Sequence, residues 1–213
     1  ATVLVRGAFR DDGGTSWTKI TQSTAGTIAA GGTANIDDIR GIAVYNDSLF
    51  VGTNETNGTE VYRYDGGTSW TRVSQSTAGT IASGGTAAIN AVSAMTVYNG
   101  ALYVGTSETS AAEIYRYDGS GTNWTKVSQT TAGTIASGGT TTITTADSMT
   151  VYNGRLYTGT SRSNSGEIYR YDGDTSWTRV SQSTAGQIAS GGRTNIDDIE
   201  SMATFNGNLY AGT

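Results

Sequence analysis

The stretch LYVGTSETSAAEIYRYDGSGTNWTKVSQ, Leu102 to Gln129, decides how the chain is read, because versions of it return on both sides. LFVGTNETNGTEVYRYDGGTSWTRVSQ begins at Leu49 and LYTGTSRSNSGEIYRYDGDTSWTRVSQ at Leu156. Trp17, Trp70, Trp124 and Trp177 mark one register, at intervals of 53, 54 and 53 residues. A fixed period of this size is the mark of a propeller, solenoid or array, whose units bury their apolar faces by stacking on one another.

Each unit reads as four strands. Met95–Tyr98 and Leu102–Thr106 flank Asn99-Gly100, and an Asn-Gly pair between alternating apolar runs is a strong hairpin signal because both turn residues need positive φ. Asn153-Gly154 and Asn206-Gly207 repeat the signal. Glu113–Tyr117 is the third strand, Asp118-Gly119 turns the chain, and Trp124–Ser128 is the fourth. The segment between units, such as Ser74–Ala94, has paired glycines and no helical period, so it reads as a surface loop anchored by Ile81 and Ile89.

The first unit is cut inside the repeat. Phe9, Arg10 and Asp12 align with Tyr62, Arg63 and Asp65, while the LYVGT-type strand that should precede them stands at the other end, as Leu209–Thr213. The expected architecture is therefore all-β: a four-bladed propeller of four-stranded antiparallel blades. Residues 1–213 form one domain of four repeats, with no linker, and Leu209–Thr213 completes the first blade.

Composition narrows the function. Hydrophobic residues make up 36% and charged residues 15% of the chain, which has 30 Gly and no Pro, Cys or His. A histidine-based triad, a thiol nucleophile and the usual zinc sites are excluded. The acidic residues recur by repeat, which argues against a single paired-carboxylate centre. A net charge of −5 with 13 Lys and Arg leaves no basic surface for nucleic acid. No apolar run approaches the roughly 20 residues of a membrane helix, so no membrane insertion is expected. The Thr/Ser/Gly/Asn-rich, Lys-poor surface points to an extracellular or cell-surface setting, with sequons at Asn46, Asn54, Asn57 and Asn123.

The order of a strand ending in Gly (LYVGT), a strand with Tyr before Asp-Gly (EIYRYDG) and a Trp strand (WTRV) resembles the kelch-type β-propeller repeat over essentially the whole chain. The kelch double glycine is replaced by Gly-Thr at Gly52, Gly105 and Gly159, and the unit is lengthened by its Gly/Ser/Thr loop. The resemblance implies a propeller fold and a Trp packed between neighbouring blades. It implies no one function, since such propellers serve as enzymes, binders and scaffolds.

Three residue series are candidates for ligand contact. Trp17, Trp70, Trp124 and Trp177 offer flat faces for sugar stacking, the competing reading being inter-blade packing. Glu60, Glu113 and Glu167 with Arg63, Arg116 and Arg170 repeat a charged set in three blades, where they bind a ligand or hold strand ends together; the first blade has Gly7 in place of the Glu. Asp37, Asp38, Asp197 and Asp198 occur in the two Ile-Asp-Asp-Ile segments, which ring closure would bring near each other as an oxygen-rich Ca²⁺ site or as solvated turn carboxylates.

The expected function is a non-enzymatic extracellular recognition module with no cofactor beyond that Ca²⁺, engaging glycans multivalently through repeated loops. The alternative is a structural subunit of an extracellular filament, surface layer or virion appendage, self-assembled by strand exchange or propeller packing. The higher effective concentration of a chain's own ends favours the monomeric ring over the exchanged form. The absence of an initial Met suits a processed or excised segment.

Overall fold

The computed structural model describes residues 7–213, in which every regular element is a β-strand. An antiparallel ribbon comes first, of β1 (Phe9–Gly13) and β2 (Ser16–Lys19). Three four-stranded antiparallel sheets follow. The first holds β3 (Asp38–Tyr45), β4 (Ser48–Asn54), β5 (Val61–Gly66) and β6 (Ser69–Arg72). The second holds β7 (Ala91–Tyr98), β8 (Ala101–Ser107), β9 (Ile114–Tyr117) and β10 (Trp124–Lys126). The third holds β11 (Thr145–Tyr152), β12 (Arg155–Ser161), β13 (Ile168–Gly173) and β14 (Ser176–Arg179). A last ribbon, β15 (Ser201–Phe205) with β16 (Asn208–Gly212), closes the order.

The first strands of successive units lie side by side, β3 against β7, β7 against β11 and β11 against β15. Single pairings, Asn54 with Ala91 and Ser107 with Thr145, tie neighbouring sheets edge to edge. The Asn-Gly turns take the conformation their residues favour, with φ of 47° at Asn99 and 71° at Gly100. β7 begins at Ala91, earlier than the Met95 that the apolar alternation suggests, because its register shifts between Val92 and Ala94 and a bulge interrupts the period-two pattern.

The Gly of the LYVGT motif has a packing reason. A Cβ on Gly52 would stand 2.4 Å from Val92 Cγ1 of the next unit, so only a glycine allows that approach. The long loops between units carry no regular structure, but Ile81 and Ile89 are both 0% exposed. These anchors, with Val73 and Ala82, pack against Leu102, Val104, Tyr115 and Trp124 of the following unit. The same interface recurs one unit on, through Val127, Ile135, Ala136 and Ile143 against Leu156, Tyr169 and Trp177. The core is thus a series of junctions between units.

Among the described residues, the two ribbons lack such junctions on their outer sides. β16 pairs with β15, β1 pairs with β2, and neither ribbon is hydrogen-bonded to the other among the described residues.

Candidate functional site

Trp70, Trp124 and Trp177 are 7%, 7% and 6% exposed. Each indole Nε1 donates to a carbonyl of the preceding unit, at Ile20, Val73 and Val127, over 2.7, 2.7 and 2.8 Å. Each ring also lies on the tyrosine opposite it in the hairpin, Tyr64, Tyr117 or Tyr171, with centroids 4.9, 4.8 and 4.8 Å apart. These three indoles therefore join consecutive units and turn no face to solvent. Trp17 differs, being 61% exposed.

Glu60, Glu113 and Glu167 are 0%, 1% and 0% exposed. Their carboxylates pair with Arg72, Lys126 and Arg179 at 2.5, 2.7 and 2.6 Å. They also accept the hydroxyls of Tyr62, Tyr115 and Tyr169. Thr33 and Thr86, in the loop of the preceding unit, donate their backbone N–H groups to Glu60 and Glu113 at 3.1 and 3.3 Å. Each of these two glutamates pins the preceding loop to its own sheet, and burial together with the carboxylate pushes all three tyrosine hydroxyls well above the usual phenol range. Sequence reasoning missed the Tyr and the Arg or Lys of this network. A signal existed, since the Glu and the Tyr are lost together in the first unit, as Gly7 and Phe9.

Arg63, Arg116 and Arg170 lie on the surface and pair with Asp65, Asp118 and Asp172 at 2.8, 3.2 and 2.8 Å. A threonine on the neighbouring strand, Thr71, Thr125 or Thr178, donates its hydroxyl to the same aspartate at 2.5, 2.9 and 2.5 Å. Burial would raise the Asp65 and Asp172 carboxyls, but the threonine and arginine outweigh it and hold both below the usual carboxylate range. The first unit repeats the set with Arg10, Asp12 and Thr18.

One such pair lines an open groove of about 650 Å³ between the first and second sheets. Tyr45 comes from the first sheet; Asn99, Tyr103, Arg116, Tyr117 and Asp118 come from the second. The tyrosines brace one another, with Tyr45 and Tyr117 6.1 Å apart, and Tyr98 and Tyr171 repeat the contact one unit on at 6.2 Å. Arginine donors, a fixed carboxylate and an amide side by side suit the vicinal hydroxyls of a saccharide.

The Ile-Asp-Asp-Ile residues are engaged locally. Asp38 pairs with Arg40 at 3.2 Å and accepts from Asn54 Nδ2, also at 3.2 Å. Asp197 accepts the Asn164 N–H at 2.5 Å, and Asp198 accepts the Ser161 hydroxyl. Asp37 is exposed and donates its backbone N–H to the Asn54 carbonyl at 2.8 Å. No group of three or more acidic residues is arranged to hold a metal among the described residues. Asp198 instead borders a cleft of about 390 Å³ with Thr145, Asp147, Ser161 and Glu200. There burial, with Asp198 and Glu200 nearby, pushes the Asp147 carboxyl up to about 6.

The fold and these sites define an all-β repeat protein of antiparallel sheets joined through buried Trp and Glu contacts. No protein-family model matches the chain, and no curated protein matches it significantly. No helix among the described residues is long and apolar enough to cross a membrane.

Proposed function

We propose that the units are blades of a kelch-like four-bladed β-propeller, the first blade uniting β1 and β2 with β15 and β16, and that the protein is a non-enzymatic extracellular recognition module for glycans. The observation that carries the recognition reading is the Arg–Asp–Thr set, present in all four units and opening in one of them onto a tyrosine-lined groove. Donors and acceptors fixed by neighbouring side chains bind at low ordering cost, and several shallow sites on one scaffold multiply weak affinities.

Glycan-array screening followed by calorimetry tests this. Binding should weaken on Arg116→Ala and Arg170→Ala while the circular dichroism spectrum stays unchanged; a blank across diverse glycans would sink the reading. One observation favours a second reading, the structural subunit: large apolar side chains stand exposed at both ends of the array, Phe9 and Trp17 at one and Val180 at the other.

A further inference from the structure

We propose that the two ends of the chain form one more junction of the internal kind, made between two copies of the protein. The proposal rests on the subunit reading given above, takes the blade that unites the two ribbons to be completed between copies and not within one chain, and is independent of glycan binding.

The internal junctions supply the template. At each, a Trp of the following unit donates to the carbonyl of Ile20, Val73 or Val127, and these residues are 4%, 1% and 1% exposed. A glutamine two residues on, Gln22, Gln75 or Gln129, donates to the carbonyl of Thr68, Thr122 or Thr175 in the next unit at 2.7, 2.6 and 2.5 Å. The next unit's Tyr62, Tyr115 or Tyr169 enters the loop until its hydroxyl would touch a Cβ on Gly32, Gly85 or Gly139.

Both halves of a fourth junction are present and unjoined. At the C-terminal end Val180 stands where Ile20, Val73 and Val127 stand, yet it is 44% exposed, and Gln182 follows it. The loop beyond it borders an open cavity of about 460 Å³, lined in part by Ile188, Ala189, Gly192, Arg193, Ile196 and Ala211. In the other three loops the counterpart isoleucines are buried and a tyrosine fills the place. At the N-terminal end Phe9 stands in the place of that tyrosine and Trp17 in the place of the bridging Trp, and they are 45% and 61% exposed. The register of β4 on β5 would set Ala211 of one copy opposite Phe9 of the next, and Trp17 would reach the Val180 carbonyl.

The residues that depart from the repeat depart together. The last loop has Arg193 where the others have Thr33, Thr86 and Thr140, and the unit that would meet it has Gly7 for the Glu and Phe9 for the Tyr. These exchanges face each other only when the two ends meet. The backbone N–H to Glu bond of the other junctions then has no acceptor, and the Arg193 guanidinium is brought near the Phe9 ring instead.

Among the described residues, β16 and β1 are each paired only inside their own ribbons. A second copy, entering with Phe9 and Trp17, supplies the side chains that the cavity lacks. The contact is heterologous, so the assembly either closes after a fixed number of copies or extends.

The test follows mass and Trp17 together. Sedimentation velocity of the 213-residue chain over a wide concentration range should show multiples of the 22.0 kDa chain. Iodide should quench a Trp17 signal at low concentration and lose access to it as mass rises. Trp17→Ala and Phe9→Ala, at exposed positions, should weaken association roughly tenfold or more, as expected for aromatic anchors. Gln182→Ala should weaken it less. Association that none of these variants alters would overturn the end-to-end junction and leave the subunit reading standing. A monodisperse monomer overturns both, whether Trp17 is protected, as in a ring closed within one chain, or quenched at every concentration.

Discussion

At the residue scale, the buried glutamates carry the sharpest consequences. Glu113→Ala leaves Lys126 without its partner and strips an acceptor from the Tyr115 hydroxyl and the Thr86 N–H. Removing one member of a buried pair costs about 3–5 kcal/mol, and Lys126 can rehydrate, so a loss near 3 kcal/mol is expected in chemical denaturation. Glu113→Gln keeps the acceptor and should cost less. Trp124→Phe removes one donor and orphans the Val73 carbonyl, for about 1–2 kcal/mol, whereas Trp17→Phe should leave the stability of a single chain unchanged. Asp147 contributes a pH dependence opposite in sign to that of the lowered Asp65 and Asp172 carboxyls. Its folded pKa of about 6 lies above the ordinary 3.8, so ionising it disfavours the fold, fully above pH 6 and not at all below pH 4. Asp147→Asn should therefore stabilise at pH 8, by about 1 kcal/mol after allowance for solvent screening, and do nothing at pH 3.5; thermal melts at the two pH values check this.

At the element scale, the hairpins were legible because their instructions are local. Asn153-Gly154 asks for positive φ at both positions and receives 46° and 68°. The bulge at Val92–Ala94 was not legible; it falls where Val92 packs against Gly52 of the preceding unit, a contact between units distant in sequence. Gly52→Ala puts a methyl 2.4 Å from Val92 Cγ1, an overpacking that should cost about 1–3 kcal/mol. Gly154→Ala, with open space around it but φ of 68°, should cost about 1 kcal/mol from backbone strain alone. The candidate site shows the same divide. Repetition singled out Arg116, yet nothing in the sequence placed Tyr45 across the groove from it, because Tyr45 arrives from the preceding sheet. Likewise the Glu60 series read as a ligand contact or a tie between strand ends, and not as a tie between units, because its loop partner Thr33 lies 27 residues away.

At the scale of the whole molecule, stability is a chain of nearest-neighbour terms, because the apolar clusters join adjacent units and none spans more distant ones among the described residues. The middle sheet has a junction on both sides. The ribbons β1–β2 and β15–β16 have one each, and a two-stranded ribbon is marginal in water without packing. Local opening should therefore be graded along the chain. In hydrogen exchange at low protein concentration, the amides of β7 and β8 should be the best protected, with Val104 and Leu102 0% exposed. Those of β15 and β16 should exchange orders of magnitude faster, their residues being almost all exposed. Urea should release the ribbons before the three sheets, giving a broad first phase in the fluorescence of Trp17 and a sharper second phase from the three buried indoles. Uniform protection from β1 to β16 in a dilute monomer would contradict the nearest-neighbour account, because it would require the end ribbons to share a junction that this arrangement does not give them.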